Sequence, residues 1–348
     1  TFGENNGNGI EGNFSLNYKP IDGLSITTRL GYKIYNEKQR SFFPTYDYGS
    51  SKVYNRTQSS VYQFKATSTR VNWETFATYE KTFADDHNTT LTVGTSVQND
   101  LSDGIYATGF DVPNNSYNFA DISLTNLQSD QRSINTGNSD IRLTSFFARA
   151  QYDYKGKYLF SGLIRRDGAS VFAKDKRVDS FWSVTTGWKI SDEDFLKDNE
   201  TISFLKLRAS YGTLGNLVGN NLYRSLLNGE ATYVFDGSLV DGTAQGGLPN
   251  PQASWETAEK LDIGLDVNFF DDKLSVVADY FEETRKDLLI QNFPVSGILG
   301  SGSPGGANPT VNAGSSKNTG AELAINYKAL NTENTTLNLS YNVTYVKN

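Results

Sequence analysis

The side chains best suited to acid–base chemistry meet in one short segment, residues 84–88. It contains His87, the single histidine of the chain, directly after Asp85 and Asp86. A Ser/His/Asp hydrolase or a multi-histidine metal site would have to be built around that one residue. Clustered polar residues of these types are more typical of a turn, and could bind a metal only weakly. We therefore predict a turn here, no metal or cofactor site, and a protein that is not an enzyme.

Composition narrows the remaining classes of protein. The chain has no cysteine, which excludes disulfides and thiolate chemistry. Its net charge is -7 and its basic residues form no run longer than two, so nucleic acid is not expected as a partner. No apolar run exceeds three residues, as at 288–290, although 20 Tyr, 21 Phe and 4 Trp supply ample apolar surface. No helix of this sequence could span a bilayer, and only a closed barrel could.

Apolar and polar residues alternate along much of the chain. Neighbouring side chains of a strand point to opposite faces, so this alternation predicts strands with one apolar face. We count about twelve such segments, most of them near the roughly 9–11 residues that a tilted membrane strand needs. The clearest apolar series lie at 24–34, 146–154, 182–190, 205–211, 261–269, 274–280 and 337–345.

Short and long connectors alternate between these segments. The short ones are 19–23, 84–89, 155–157, 270–273 and 328–335, and the long ones are 35–61, 99–142, 166–180, 212–257 and 282–319. Outer-membrane barrels have short periplasmic turns and long extracellular loops. The sequence thus predicts an all-β, transmembrane, antiparallel up-and-down β-barrel. Residues 191–203 should form a short turn, but Ser191 followed by acids predicts a small helix with Ser191 as its N-cap.

Aromatic residues gather beside the short connectors. Tyr and Trp are enriched at the headgroup level of membranes, which predicts a girdle at the periplasmic interface. The general preference of aromatic residues for strands is the alternative explanation. The predicted girdle consists of Tyr18, Tyr79, Tyr152, Tyr154, Tyr158, Trp188, Phe269 and Tyr327.

Charged residues decide which face can meet lipid. Those within the predicted strands fall on the polar register: Arg149, Asp153, Lys206, Arg208, Asp262, Asp266 and Asp279. An Arg or Lys facing lipid near the midplane costs about 2–4 kcal/mol, so this register must face inward. Solvation or contact with a plug is the simpler interpretation of these charges, and substrate contact is the alternative.

A series of motifs resembles one transporter family. Residues 163–172 read LIRRDGASVF, residues 205–212 read LKLRASYG, and residues 248–251 read LPNP ahead of Trp255, Glu256 and Thr257. Residues 318–323 read NTGAEL. In this order the motifs resemble the SusC/RagA-type TonB-dependent transporters of Bacteroidetes outer membranes. The resemblance is specific from residue 141 to 345 and diffuse before that.

This resemblance implies a barrel of about 22 strands around an N-terminal plug. It also implies a SusD-like surface lipoprotein as a lid, energy transmitted by TonB, and import of oligosaccharides or peptides through the outer membrane. Outer-membrane lipid is a further implied partner. The resemblance leaves undecided whether the complex forms a homodimer. Because we find no plug, no TonB box and no final strand, we expect residues 1–348 to be part of one barrel domain.

Two sets of residues are candidate sites in such a transporter. Aromatic residues of the long connectors could stack on sugar rings, although packing is the alternative: Tyr46, Tyr48, Tyr117, Tyr223 and Tyr233. Arg165, Arg166, Asp167 and Gly168 match a family motif at a strand-to-loop junction. For these four we expect structural ion pairing rather than recognition.

Two rival classes remain open from the residues themselves. One is a stand-alone porin or autotransporter-like barrel of about twelve strands, which needs no plug. The other is a secreted β-rich protein that binds glycans through its aromatic residues.

Overall fold

The chain folds into β-strands joined by turns and loops. The computed structural model describes residues 2–50, 52–126, 133–197, 199–219, 222–296 and 307–348. In these ranges the strands are β1 Phe2–Ile21, β2 Leu24–Phe43, β3 Ser60–Phe83, β4 His87–Phe110, β5 Ser133–Tyr154, β6 Tyr158–Ala169, β7 Val178–Lys189, β8 Ile202–Asn216, β9 Leu226–Phe235, β10 Ser238–Gly247, β11 Glu256–Phe269, β12 Leu274–Ile290, β13 Val311–Asn331 and β14 Thr336–Lys347. The helices found there are short 3-10 turns at Tyr117–Phe119, Ile122–Leu124 and Ile190–Asp192, none of which could span a bilayer.

Twelve of the strands form one sheet in chain order, from β1 to β8 and then β11 to β14. The remaining two, β9 and β10, form a separate hairpin within the connection from β8 to β11. Neighbours along the chain are therefore neighbours in the sheet, as an up-and-down barrel requires. The predicted all-β class and the predicted strand number are confirmed.

The register of the ladders confirms that the strands have two different faces. Leu207 lies opposite Leu265, and Leu265 lies opposite Ala278. Ala278 lies opposite Leu323, and Leu323 lies opposite Val343. Because cross-strand partners share a face, the predicted apolar series join into rows across the sheet. We call this side the apolar face and the opposite side the polar face.

The strands are longer than predicted. The expected length was roughly 9–11 residues, but strands of the main sheet range from 12 residues in β6 to 24 in β3 and β4. The alternation of apolar and polar side chains indicates only the part of a strand that meets lipid on one side. The backbone ladder continues beyond it, because its hydrogen bonds do not depend on side-chain polarity. The long connectors are accordingly shorter than predicted.

The short connectors are confirmed where they were predicted. The turn between β1 and β2 contains Gly23 with φ +76°, a value that favours glycine, and an added Cβ there would overlap the carbonyl oxygen of Glu80. The β5–β6 turn has Lys155 and Gly156 at φ 57° and 68°. Parts of four predicted long connectors, namely 51, 127–132, 220–221 and 297–306, lie outside the described residues.

The small helix predicted after Ser191 is wrong. Within the described residues 190–197 the helical segment is the 3-10 turn Ile190–Asp192, whose N-cap residue is Lys189, and Ser191 is buried inside it. Glu193, directly after the turn, binds side chains at the ends of β6 and β7, as described below. These bonds hold the segment beside the start of β6 and the end of β7.

The fold contains two compact units. Unit 1 comprises residues 1–16, 28–74 and 96–142. Its dry core consists of Phe42, Val61 and Ala120, against which Val112 and Tyr117 pack.

Unit 2 comprises residues 17–27, 75–95 and 143–348. Its buried cluster lies on the long-loop side, where Phe172 and Phe181 pack on Trp255 with ring centroids 5.5 and 5.6 Å away. The indole Nε1 of Trp255 donates to the carbonyl oxygen of Arg177 at 3.0 Å. This bond fixes the loop between β6 and β7.

Candidate functional site on the polar face

The polar face of β8, β11 and β12 carries a cluster of ionic groups around one arginine. Arg208 lies opposite Gly264, and Gly264 lies opposite Asp279, so the three residues form one row across three strands. Asp262 and Asp266 flank that row on β11, two residues to either side. Period-two alternation places all four ionic side chains on the same face, as predicted.

The guanidinium of Arg208 contacts all three carboxylates. Its Nη2 lies 2.6 Å from Asp279, its Nε lies 3.2 Å from Asp266, and its Nη1 lies 3.3 Å from Asp262. The planar fork of arginine suits such multiple contacts. One positive charge against three negative ones leaves the cluster with a net negative charge.

Gly264 makes this arrangement possible. It lies between the strands that carry Arg208 and Asp279, and an added Cβ would overlap both side chains. A residue with a side chain here would push the guanidinium away from its partners. The glycine is therefore part of the site, and the sequence motifs did not indicate its role.

Two further cations lie beyond this cluster, toward the long loops. Lys260 Nζ lies 2.9 Å from Glu283, and Arg285 pairs with the same carboxylate. These three side chains line a cavity of about 230 Å³, together with Leu214, Gly215, Asn216, Glu256, Thr257, Ala258 and Leu288. Two cations share one carboxylate here, so donor capacity remains for a ligand.

Glu256 fixes the wall of that cavity. It is only 7% exposed, and its carboxylate accepts from the backbone N–H of Leu289 and from Nδ2 of Asn216, each at 2.7 Å. A buried carboxylate with both oxygens bonded holds the neighbouring strands in place. The arrangement can bind a polar or charged ligand. In the part of the chain that the structure describes, His, Asp and Glu form no group suited to a metal ion.

The loop tyrosines of unit 1 fall into two environments. The rings of Tyr46 and Tyr48 lie 5.4 Å apart, and the side chains are 42% and 68% exposed. This pair is therefore open to a ligand. Tyr117 is engaged instead, because Arg40 lies 4.4 Å over its ring and donates from Nε to its hydroxyl. For Tyr117, packing is the better description.

The loop tyrosines of unit 2 also differ from each other. Arg224 lies over the ring of Tyr223 and donates to its hydroxyl at 3.2 Å. Tyr233 lies on β9 and is 73% exposed. Neither position identifies a ligand, so substrate contact by these tyrosines stays a prediction.

The family motif at the end of β6 contains an ion pair. Arg165 donates from Nε to Asp167 at 2.7 Å and from Nη2 to the buried hydroxyl of Ser145 at 2.6 Å. Arg166 lies opposite Phe146, and Gly168 opposite Thr144, on the other face of the strand. That these four residues have a structural role rather than a role in recognition stays a prediction.

The aromatic girdle forms a continuous row in its central part. The rings of Tyr154 and Tyr158 lie 6.2 Å apart, and those of Tyr158 and Trp188 lie 6.4 Å apart, both stacked. His87 extends the row, since its ring lies 4.7 Å from Tyr154 and its Nδ1 lies 2.6 Å from the hydroxyl of Tyr152. The histidine is thus part of the row, beside the turn. Tyr18, Tyr79, Phe269 and Tyr327 also lie near short turns. That these aromatic residues form a girdle at the membrane interface stays a prediction.

Glu193 links this row to the following turn. Its Oε1 accepts from the hydroxyl of Tyr158 at 2.5 Å and from Nε1 of Trp188 at 3.0 Å, while Lys157 lies 3.4 Å from its other oxygen. The hydrogen bond from Tyr158, followed by that from Trp188, lowers the pKa of Glu193 from its ordinary value.

Comparison with known proteins gives the family. The protein-family model for the TonB-dependent receptor-like β-barrel matches residues 1–348 of this chain. TonB-dependent receptor P39 of Formosa agariphila is 34% identical over 345 residues, which cover 96% of this chain and 30% of that protein. TonB-dependent receptor SusC of Bacteroides thetaiotaomicron is 37% identical over 212 residues, 59% of this chain and 20% of that protein. The chain spans about a third of the length of the Formosa agariphila receptors that it matches.

Solved structures agree on the fold. The structure of the RagAB peptide transporter superposes with a TM-score of 0.83 at 23% identity, over 99% of this chain and 36% of that one. A ferripyoverdine receptor from Pseudomonas aeruginosa superposes with a TM-score of 0.54 at 13% identity, over 97% and 40%. The family model and the receptor relatives confirm the resemblance to the SusC/RagA type, and the rival interpretation as a secreted soluble protein is wrong. The chain belongs to the TonB-dependent receptor-like β-barrel family, and its sheet lies in the outer membrane.

Proposed function

We propose that the chain is the barrel part of a TonB-dependent importer that takes up oligosaccharides or peptides with a SusD-like surface lipoprotein. The observation that carries the proposal is the two-faced sheet. Its apolar rows suit contact with lipid, and its ionic cluster around Arg208 suits an aqueous lumen. On this proposal residues 1–348 are part of one barrel domain, which is completed by a plug and by further strands. TonB would act through the plug.

The two substrate classes are each supported by a different feature. The cavity beside Lys260, Glu283 and Arg285 offers charges of both signs, which suits the charged groups of a peptide. The exposed pair Tyr46 and Tyr48 offers ring faces, which suit a sugar. A barrel could use one feature or both.

The hairpin β9–β10 is the described loop segment best suited to the lipoprotein partner. Tyr233, Phe235 and Leu239 are all strongly exposed on it. An isolated two-stranded hairpin is marginally stable in water, so a protein surface against it would stabilise it. Removing residues 226–247 should therefore release the lipoprotein from the purified complex.

An uptake assay tests the proposal. Cells that carry the intact protein are given a labelled oligopeptide or a labelled oligosaccharide, with and without a functional TonB. We expect uptake of at least one probe, and loss of that uptake without TonB. Equal accumulation in both strains, or none of either probe, would contradict an importer.

Paired variants then assign the substrate class. Removing both cations by Lys260→Gln and Arg285→Gln should lower peptide uptake by at least about tenfold, because charge-assisted hydrogen bonds contribute about 1.5–3 kcal/mol each. Tyr46→Ala with Tyr48→Ala should leave peptide uptake unchanged and lower glycan uptake. The reverse result would assign the cavity to structure and the tyrosines to the substrate.

A further inference from the structure

A second depression lies at the long-loop end of β1 to β5, within unit 1. Its volume is about 620 Å³ and its lining is mostly polar: Asn6, Asn8, Asn36, Glu37, Lys38, Lys65, Ala66, Thr67, Asp103, Gly104, Ile105 and Thr136. None of these residues belongs to the polar-face site described above. The question is which face of the sheet this depression opens on.

Alternation along β2 and β3 answers that question. On β2, Leu30, Tyr32 and Ile34 are the predicted apolar series, and Asn36 and Lys38 continue the same register. On β3 the register of Trp73 continues through Thr67 and Lys65. Thr67 Oγ1 donates to Asn36 Oδ1 at 2.8 Å, which aligns the two strands. The depression therefore opens on the apolar face, directly beyond its last apolar row.

The height of this depression matches the headgroup layer. Asn36 and Lys38 follow Ile34 by two and four residues, which is about 7 and 13 Å at roughly 3.3 Å per residue. A strand tilt of about 40° reduces this to about 5–10 Å along the membrane normal. Each headgroup layer is about 5–8 Å thick. The long-loop side is the outer side, so these residues meet the headgroups of the outer leaflet.

The two lysines in this depression suit an anion, although the carboxylates Glu37 and Asp103 also line it and the charge of Glu4 acts on Lys38. Once Asn36 faces Thr67, the next pair on that face of an antiparallel ladder is Lys38 and Lys65. Like charges opposite each other are unfavourable unless a counter-ion lies between them. In the described ranges neither ammonium has a carboxylate within 4.0 Å. The amides of Asn6, Asn8 and Asn36 and the carboxylate of Asp103 suit hydroxyl groups beside that anion.

We propose that this depression binds the phosphorylated sugar headgroup of an outer-leaflet lipid. The phosphate lies between Lys38 and Lys65, and the sugar hydroxyls bond to the amide and carboxylate side chains around them. The lipid acyl chains then lie along the adjacent apolar rows. This continuity with the lipid-facing surface favours a lipid headgroup over free phosphate.

Native mass spectrometry of the protein purified from its own outer membrane tests this site. The protein is placed in phosphatidylcholine nanodiscs with or without a phosphorylated glucosamine lipid, and the lipid retained after ejection from the nanodisc is counted. We expect one retained glycolipid. Lys38→Gln with Lys65→Gln should weaken its binding by at least about tenfold. Lys38→Arg with Lys65→Arg should retain it.

Lys52→Gln is the matched control, because Lys52 is exposed in the loop after β2 and does not line the depression. It should bind the glycolipid like the unmodified protein. The proposal is overturned if the double Gln variant binds the glycolipid equally well, or if Lys52→Gln weakens binding to the same extent. Full competition by inorganic phosphate would assign the site to a free anion and would also overturn it. Heat-modified gel mobility of each variant checks that the barrel has folded.

Discussion

Two neighbouring residues on opposite faces of β11 differ in how far their side chains are exposed. Leu265 on the apolar face is 38% exposed, whereas the side chain of the adjacent Asp266 on the polar face is only 24% exposed. In a soluble sheet the apolar side chain would be the hidden one. At this pair of residues the apolar side chain is the more exposed one, which suits a face surrounded by hydrocarbon, while Asp266 is covered by its contact with Arg208.

The two faces also differ in how their residues depend on one another. Leu265 contributes mainly through its own transfer into lipid, as its neighbours in the row do. Arg208, in contrast, holds three carboxylates at once. A substitution on the apolar face should therefore act according to its depth in the membrane. A substitution on the polar face should act according to the contacts that it breaks.

The strongest test of the contrast is Leu265→Arg. Leu265 is the middle residue of the apolar series 261–269, so the new charge would lie near the midplane. We expect it to cost about 2–4 kcal/mol and to block folding into membranes. The folded fraction in liposomes, measured by heat-modified gel mobility, gives the result.

Asp266→Asn is the control for that variant, since it changes the charge of the neighbouring residue on the other face. We expect it to fold with little loss of yield. Equal yields for the two variants would show that the assignment of the faces is wrong.

A smaller effect is expected from Arg208→Ala. It leaves Asp262, Asp266 and Asp279 without their shared cation, and their partial exposure limits the loss to about 1–3 kcal/mol. Urea unfolding from vesicles measures the change in free energy of unfolding. Gly264→Ala should shift it in the same direction by less, because the guanidinium must move aside.

Arg149→Ala provides the comparison on the same face. Arg149 is exposed and donates to the hydroxyl of Ser161 at 3.1 Å. Its removal should change the free energy of unfolding by less than about 1 kcal/mol. A loss as large as that of Arg208→Ala would mean that the cluster has no special role.

The smallest effect is the pH dependence that Glu193 contributes. Its folded pKa lies below the ordinary value of 4.5, so its contribution is present above pH 4.5 and is lost as the pH falls through the folded pKa. Glu193→Gln should remove this part of the pH dependence. Unfolding midpoints of both proteins, compared above and below pH 4.5, measure it, and parallel curves would contradict the role of Glu193.

Much of this fold could be predicted because a lipid-facing strand shows a strict two-residue period. The rows through Leu207 and Leu265 and the short turns follow from that period and from turn chemistry. The polar register of Arg208 was predicted in the same way. Its three partners could not be assigned, because alternation gives the face of a residue but not its neighbours on the next strand.

The features that the sequence did not predict lie in parts of the chain that do not face lipid, where the two-residue period is absent. The parts of β2, β4 and β5 that extend into the predicted long connectors are rich in polar residues, so they resemble loops. The hairpin β9–β10 was missed although Asp236 and Gly237, at φ 49° and 74°, are a common two-residue hairpin turn. The buried contacts of Phe172 and Trp255 involve residues far apart in the chain, and no local pattern indicates them.

The burial of Trp255 has a spectroscopic consequence. Of the chain's 4 tryptophans, Trp73, Trp182 and Trp188 are exposed on strands of the sheet, whereas Trp255 is 6% exposed and is enclosed by Phe172 and Phe181. Bromine atoms on acyl chains would quench the emission of indoles in contact with lipid and leave that of Trp255 largely unquenched. The unquenched fluorescence of Trp255 would report on the loop region separately from the tryptophans on the strands.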